Sequence, residues 1–204
     1  IHKGRTASGT IEHFWQSNDG NQALVPSDNA QNCLAACGPN LLGVESYGTA
    51  SQNQGFRIYD ATSASGLVPA ALKTILWGGT KSHTRVKVVS DNLSYFYIIA
   101  SLNTNSIKKV GIGGNTEWTS TAAGTPTSLA YDHKNKILVA TSTTTPFVRT
   151  LSLGAGAQTD SASPVSAAQW DEIDSNDQGS FTLWRNAEAT NNVVIISNTL
   201  DTTD

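Results

Sequence analysis

The side chains best able to do chemistry here are few. The densest group is the acidic run Asp171-Glu172-Ile173-Asp174-Ser175-Asn176-Asp177-Gln178-Gly179. Carboxylates and amides at alternate positions can converge on a hard cation such as Ca2+. Asp174, Asn176 and Gln178 have that one-three-five spacing. The loop's twelfth position is Arg185, not the bidentate Glu of an EF-hand, so only a non-EF calcium loop fits. No cofactor is otherwise expected.

Other catalytic patterns are missing. His2, His13, His83 and His133 form no HExxH or HxH arrangement, and GxSxG is absent. Gly111-Ile112-Gly113-Gly114 follows a strand pattern but opens no helix, so it lacks the amide cluster that cradles phosphate. Cys33 and Cys37 have a metal-ligand spacing with no second pair to complete a site. On one strand they would sit ~13 Å apart, too far for a disulfide, whereas a turn or helix would let them bond. These absences point away from an enzyme.

The remaining candidates are aromatic. Stacking on a sugar face needs an exposed ring beside hydroxyls and amides. Trp118 lies among polar neighbours in Asn115-Thr116-Glu117-Trp118-Thr119-Ser120, on an expected loop, and Trp15 precedes an Asp19-Gly20 hairpin signal. Trp118, Glu117, Asn115 and Trp15 are the expected ligand contacts. The alternative is that each Trp packs between elements.

The elements that must position these residues are strands. Charged residues make up only 14% of the 204-residue chain, while 24 Thr, 22 Ser and 16 Asn supply the polarity. That composition favours strands and turns over helices. A net charge of −3 argues against nucleic acid as a partner, and no apolar run is long enough for a membrane-spanning helix. Met is absent even at position 1, which suggests a processed or truncated start. Val68–Trp77 has the best helical pattern. Fourteen short segments elsewhere read as strands.

Spacing groups these strands. Val88–Gly114 and Leu129–Ala155 share a strand ending in Asp (Asp91, Asp132) and a second ending small-hydroxyl. Both close with a third strand carrying a cation (Lys109, Arg149), at an offset of 40 to 41 residues. Arg57 occupies the same cation position upstream, and Asp171 falls near the Asp position downstream. The units are about 30–62, 86–114, 127–155 and 167–198, with an N-terminal closing hairpin at 11–26. A period near 40 with three or four strands per unit is a propeller pattern.

These units resemble blades of the WD-repeat and related β-propeller superfamilies, and Phe56-Arg57-Ile58-Tyr59-Asp60 is similar to a blade-closing WD strand. The Gly-His dipeptide is missing, and Trp170-Asp171 falls on a different strand. Ser175-x-Asp177-x-Gly179 is similar to the start of the Asp-box hairpin of sialidase-like propellers, with Phe181 one position early. That resemblance implies a structural Asp that ties down a turn. Arg57 and Arg149 at matching positions suggest a repeated salt bridge or a solvated edge.

The fold expected is all-β, a small propeller of four or five blades in one domain, with a β-sandwich or jelly roll as the alternative. The function expected is non-enzymatic recognition or adhesion, binding glycan or protein, at an extracellular or virion surface. A self-assembling capsid, spike or filament subunit is the alternative, and a glycan-active hydrolase or lyase the third.

Overall fold

The computed structural model describes residues 2–3, 12–13, 34–46, 55–60, 72–76, 87–100, 106–162, 170–185 and 193–200. They hold seventeen strands and no helix. β1 (His2–Lys3) pairs with β2 (Glu12–His13). The rest of the hairpin expected at 11–26 lies outside the described residues, as do Trp15, Cys33 and His83.

The other fifteen strands form four antiparallel sheets. The first contains β3 (Leu34–Cys37), β4 (Leu41–Ser46), β5 (Gly55–Asp60) and β6 (Lys73–Leu76). The second contains β7 (Val88–Ser90), β8 (Tyr95–Ala100), β9 (Ser106–Gly111) and β10 (Thr116–Ser120). The third contains β11 (Pro126–Asp132), β12 (Ile137–Ser142), β13 (Val148–Leu151) and β14 (Gln158–Ala162). The fourth contains β15 (Glu172–Ser175), β16 (Ser180–Trp184) and β17 (Val193–Ser197). Each sheet runs up and down in sequence order. The first strands touch in succession, β3 to β7, β7 to β11 and β11 to β15. This is the layout of a β-propeller, with β3, β7, β11 and β15 innermost.

Helix-like spacing over Val68–Trp77 is overridden at Lys73–Leu76, which pairs with β5 as a fourth strand. Tertiary pairing outweighs a weak local preference. Three strands lack an apolar alternation: Thr116–Ser120, Gln158–Ala162 and Glu172–Ser175. The first two are outer strands with polar, exposed faces. Polar outer strands carry little hydrophobic signal.

The core is three seams between neighbouring sheets. Side chains on a strand alternate between faces, so a blade strand buried on both faces reads as an unbroken apolar run. On β8, Phe96 and Ile98 enter the seam with the first sheet, while Tyr97 and Ile99 enter the seam with the third. On β12, Leu138 and Ala140 face the second sheet and Val139 faces the fourth. In the first seam, Phe56 and Phe96 meet edge-on with centroids 5.1 Å apart. A Cβ at Gly43 would stand 2.3 Å from Phe56 and 2.6 Å from Phe96, so only glycine fits there.

The repeated cation does sit on the third strand of three sheets: Arg57 on β5, Lys109 on β9 and Arg149 on β13. Arg57 and Arg149 are buried rather than on a solvated edge. Among the described residues Arg149 makes no salt bridge either. Its guanidinium donates to the carbonyls of Ala122 at 2.7 Å, Pro146 at 3.0 Å and Thr145 at 3.1 Å, lacing the 121–125 turn to the 143–147 loop.

Candidate functional site

Three of the four inner strands, β7, β11 and β15, end in a turn held by one side-chain oxygen. Asp91 Oδ1 accepts the backbone N–H groups of Leu93, Ser94 and Tyr95 at 2.8 to 2.9 Å. Asp132 Oδ1 accepts those of Lys134 and Asn135, and its Oδ2 accepts Asn135 Nδ2 at 2.7 Å. In the fourth sheet Asn176 Oδ1 does this work, accepting from Gln178 at 2.8 Å and Ser180 at 3.1 Å. Short Asp and Asn side chains suit this task because they mimic a backbone turn. The structural counterpart of Asp132 is therefore Asn176, not Asp171. Within its own turn the Asp177 carboxyl meets Ser175, while the turn's backbone N–H groups of Gln178 and Ser180 go to Asn176.

Asp177 also reaches sideways. It follows the turn-holding residue, with φ at +56°, and its Oδ1 accepts His133 N–H at 3.0 Å and His133 Nδ1 at 2.9 Å. Asn92 does the same one seam earlier, with φ at +59° and Oδ1 accepting Gly38 N–H at 2.9 Å. Left-handed backbone is best tolerated by Asn and Asp, which aims each side chain at the preceding blade. Neighbouring turns are thus latched at one end of the propeller.

Inside this ring of turns is a cavity of about 320 Å³. All four inner strands line it: Leu34 and Ala35 on β3, Val88, Val89 and Ser90 on β7, Ala130 and Tyr131 on β11, and Asp174 and Ser175 on β15. Lys87, His133 and Asp177 complete the lining. Lys87 is buried and pairs with Glu172, which also accepts the Ser128 hydroxyl at 2.7 Å. That cluster joins the inner strands of the second, third and fourth sheets. Burial raises the Asp177 carboxyl, but hydrogen bonds from the His133 backbone and ring, the His133 charge and Ser175 outweigh this and hold it below its ordinary value. Burial, with Asp91 and Asp132 nearby, pushes the Tyr131 phenol up. Tyr131 stacks on Tyr97 with centroids 5.6 Å apart and meets the His133 ring edge-on at 5.1 Å.

The residues singled out by sequence fall elsewhere or play other parts. Trp118 is on strand β10, not a loop, at the seam of the second and third sheets. Its indole N–H donates to the Leu153 carbonyl at 3.1 Å, and its ring lies 6.1 Å from Tyr97. Lys109 donates to the same carbonyl at 2.8 Å. Asn115 and Glu117 are exposed beside it, away from the axial cavity. For the calcium reading, Asp174 is on β15 and accepts from Ser175 N–H. Asn176 holds its turn, and Gln178 accepts Lys134 Nζ at 3.1 Å. Donors of the chain thus engage an oxygen of each. Cys37 is buried, and burial followed by Asp91 raises its thiol to about 11.

The cavity residues Lys87, Tyr131, His133 and Asp177 are not marked by any local motif. The usable signal was the repeat itself: residues flanking the strand-ending Asp91 and Asp132 share one end of the propeller.

No protein-family model matches the sequence, and no curated protein does. Solved structures do resemble it. The chain of the BBS1N complex with ARL6DN aligns with TM-score 0.53 and 12% identity over 80% of this chain and 45% of that one. A protein of unknown function from Bacteroides thetaiotaomicron aligns with TM-score 0.50 and 14% identity over 83% of this chain and 42% of that one. The PQQ-bound aldose sugar dehydrogenase of Streptomyces coelicolor aligns with TM-score 0.50 and 14% identity over 90% and 67%. The chain spans less than half the length of the first two. Likeness at such identities speaks for fold alone, and the fold it supports is the β-propeller.

Proposed function

We propose that this protein is a recognition module, with the axial cavity and its ring of turns as the contact surface. The observation that carries this reading is the cavity: one concave site lined by the inner strands of all four sheets, with polar groups grouped at the latched turns. Concave sites with a few convergent polar groups are the usual form of a binding pocket. The turns hold these groups rigidly, which lowers the ordering cost of binding. The partner is a glycan or another protein, met at an extracellular or virion surface that suits the hydroxyl- and amide-rich exterior. The test combines native mass by light scattering with glycan and peptide arrays, using wild type and Leu34→Trp. Leu34 is 42% exposed and lines the cavity, so the larger ring should block the site without disturbing the core. A small discrete species whose array binding is lost in the variant supports the reading. Unchanged array binding by the variant removes the cavity from it.

One observation favours a second reading, a subunit that assembles with copies of itself. Trp184, Val193 and Ile195 are exposed on the fourth sheet, with Trp184 directly opposite Val193. Exposed apolar groups of this kind mark association surfaces. A large regular particle in the same light-scattering experiment would favour it over the first.

A further inference from the structure

The turn that joins β7 to β8 carries two polar groups that the fold does not use. It contains Asn92-Leu93-Ser94, the only Asn-x-Ser/Thr triplet in the sequence. That triplet is the acceptor pattern for N-linked sugar. Asn92 latches the turn to the first sheet through Oδ1, which accepts Gly38 N–H at 2.9 Å. Asp177 makes the equivalent latch in the fourth sheet with a carboxylate oxygen, so the latch has no need of an amide nitrogen. Ser94 serves the turn through its backbone. Its N–H donates to Asp91 Oδ1 at 2.8 Å, and its carbonyl accepts Ile112 N–H at 2.9 Å. Among the described residues, no hydrogen bond engages Asn92 Nδ2 or the Ser94 hydroxyl.

The surroundings suit a linked sugar. Asn92 is exposed, with φ at +59°. Leu93 beside it is 73% exposed, the most open of the large apolar side chains described, and Ile112 on the adjoining turn is 38% exposed. A sugar on Asn92 would lay its C–H face over these two and leave its hydroxyls in water. The Oδ1 latch survives the linkage, because only Nδ2 is substituted. Resting on the extracellular setting proposed above, we infer that Asn92 is an acceptor for N-linked oligosaccharide and that the sugar covers the tip formed by Leu93 and Ile112. The donor is a lipid-linked oligosaccharyl diphosphate, used by a transferase of the secretory compartment. Nδ2 attacks the anomeric carbon and the C–O bond to the diphosphate breaks. The lipid diphosphate leaves with the electron pair, and Nδ2 gives up one proton to solvent. The Ser94 hydroxyl is free for the transferase to read.

The test translates the whole chain behind a cleavable leader in the presence of secretory microsomes and scores only the protease-protected product. Wild type should gain one discrete step in mass that a peptide N-glycosidase removes, and peptide mapping should find Asp in place of Asn92 after that treatment. Ser94→Ala should abolish the step and Ser94→Thr should keep it. Asn92→Asp should also abolish it while keeping the latch oxygen, as Asp177 does in the fourth sheet. Its urea midpoint should therefore match that of the unmodified wild type, which separates loss of the acceptor from loss of the fold. Releasing the sugar from the folded chain should raise the binding of an apolar dye. Protected wild-type chain without the mass step overturns the inference, as does a step that persists in Asn92→Asp. Unchanged dye binding overturns the covering of the tip. The recognition reading stands or falls separately, since the loss of array ligands with Leu34→Trp is scored on unmodified chain.

Discussion

Removing the Asp132 carboxylate tests the turn geometry that shapes the cavity. Asp132 is fully buried at the end of β11 and accepts three hydrogen bonds, two from backbone N–H groups and one from the Asn135 amide. Asp132→Ala leaves all three donors without that partner. At about 1 kcal/mol each, the loss is about 3 kcal/mol. For a chain of this size that corresponds to a fall in Tm of about 6–12 °C. Asp132→Asn keeps one oxygen for the two backbone donors and sets only an amide against Asn135, whose own amide can rotate. Its cost should be about 1 kcal/mol. Asn176 already performs the same task in the fourth sheet with a single oxygen, accepting two backbone donors. The assay is urea unfolding followed by tryptophan fluorescence, with Trp170 fully buried in the seam between the third and fourth sheets. An Ala variant within about 0.5 kcal/mol of wild type would show that Asp132 does not hold this turn, because ordinary surface changes fall in that range. An Asn variant as damaged as the Ala variant would contradict the single-oxygen argument.

Four further outcomes follow from the same geometry. Gly43→Ala should cost about 2–3 kcal/mol in urea unfolding, since its Cβ would overlap Phe56 and Phe96 inside the first seam. Lys87→Met strands Glu172, which is about a fifth exposed, and should cost about 2–3 kcal/mol, while Lys87→Met with Glu172→Leu should recover much of that loss. The Asp177 carboxyl is held below its ordinary 3.8 in the folded chain, so its contribution is complete above that value and fades as pH falls beneath it. Stability measured from pH 6 to pH 2 should therefore decline less steeply in Asp177→Asn than in wild type. In a Cys33→Ser background, the Cys37 thiol, raised to about 11 and buried, should resist a maleimide at pH 8 until urea unfolds the chain.

Much of the fold was legible because blade strands buried on both faces leave an unmistakable trace. Tyr95–Ala100 and Ile137–Ser142 read as apolar runs, and Asp91 and Asp132 mark where inner strands end. Repetition of that pattern exposed the architecture. The outer strands were hidden because Thr116–Ser120 and Gln158–Ala162 need only backbone pairing and present polar faces to solvent. The repeat also broke register in the fourth sheet, where Asn176 replaces the Asp and Asp171 supplied a false match. The site was harder still. Trp118 looked available because its sequence neighbours are polar, yet the seam partner Leu153, 35 residues away, takes its N–H. The cavity residues come from four separate sheets, and His133 meets Asp177 across 44 positions. Only the closing of sheets around an axis brings them together, and no local pattern encodes that.

Recognition at the axial cavity, as proposed, is distinguished from recognition along the outer strands by amide shift mapping with a ligand that the arrays return. Binding at the cavity should give shifts clustered at 88–90, 131–134 and 174–178. Shifts clustered instead at Asn115, Glu117 and Trp118 on the outer strand of the second sheet would contradict it.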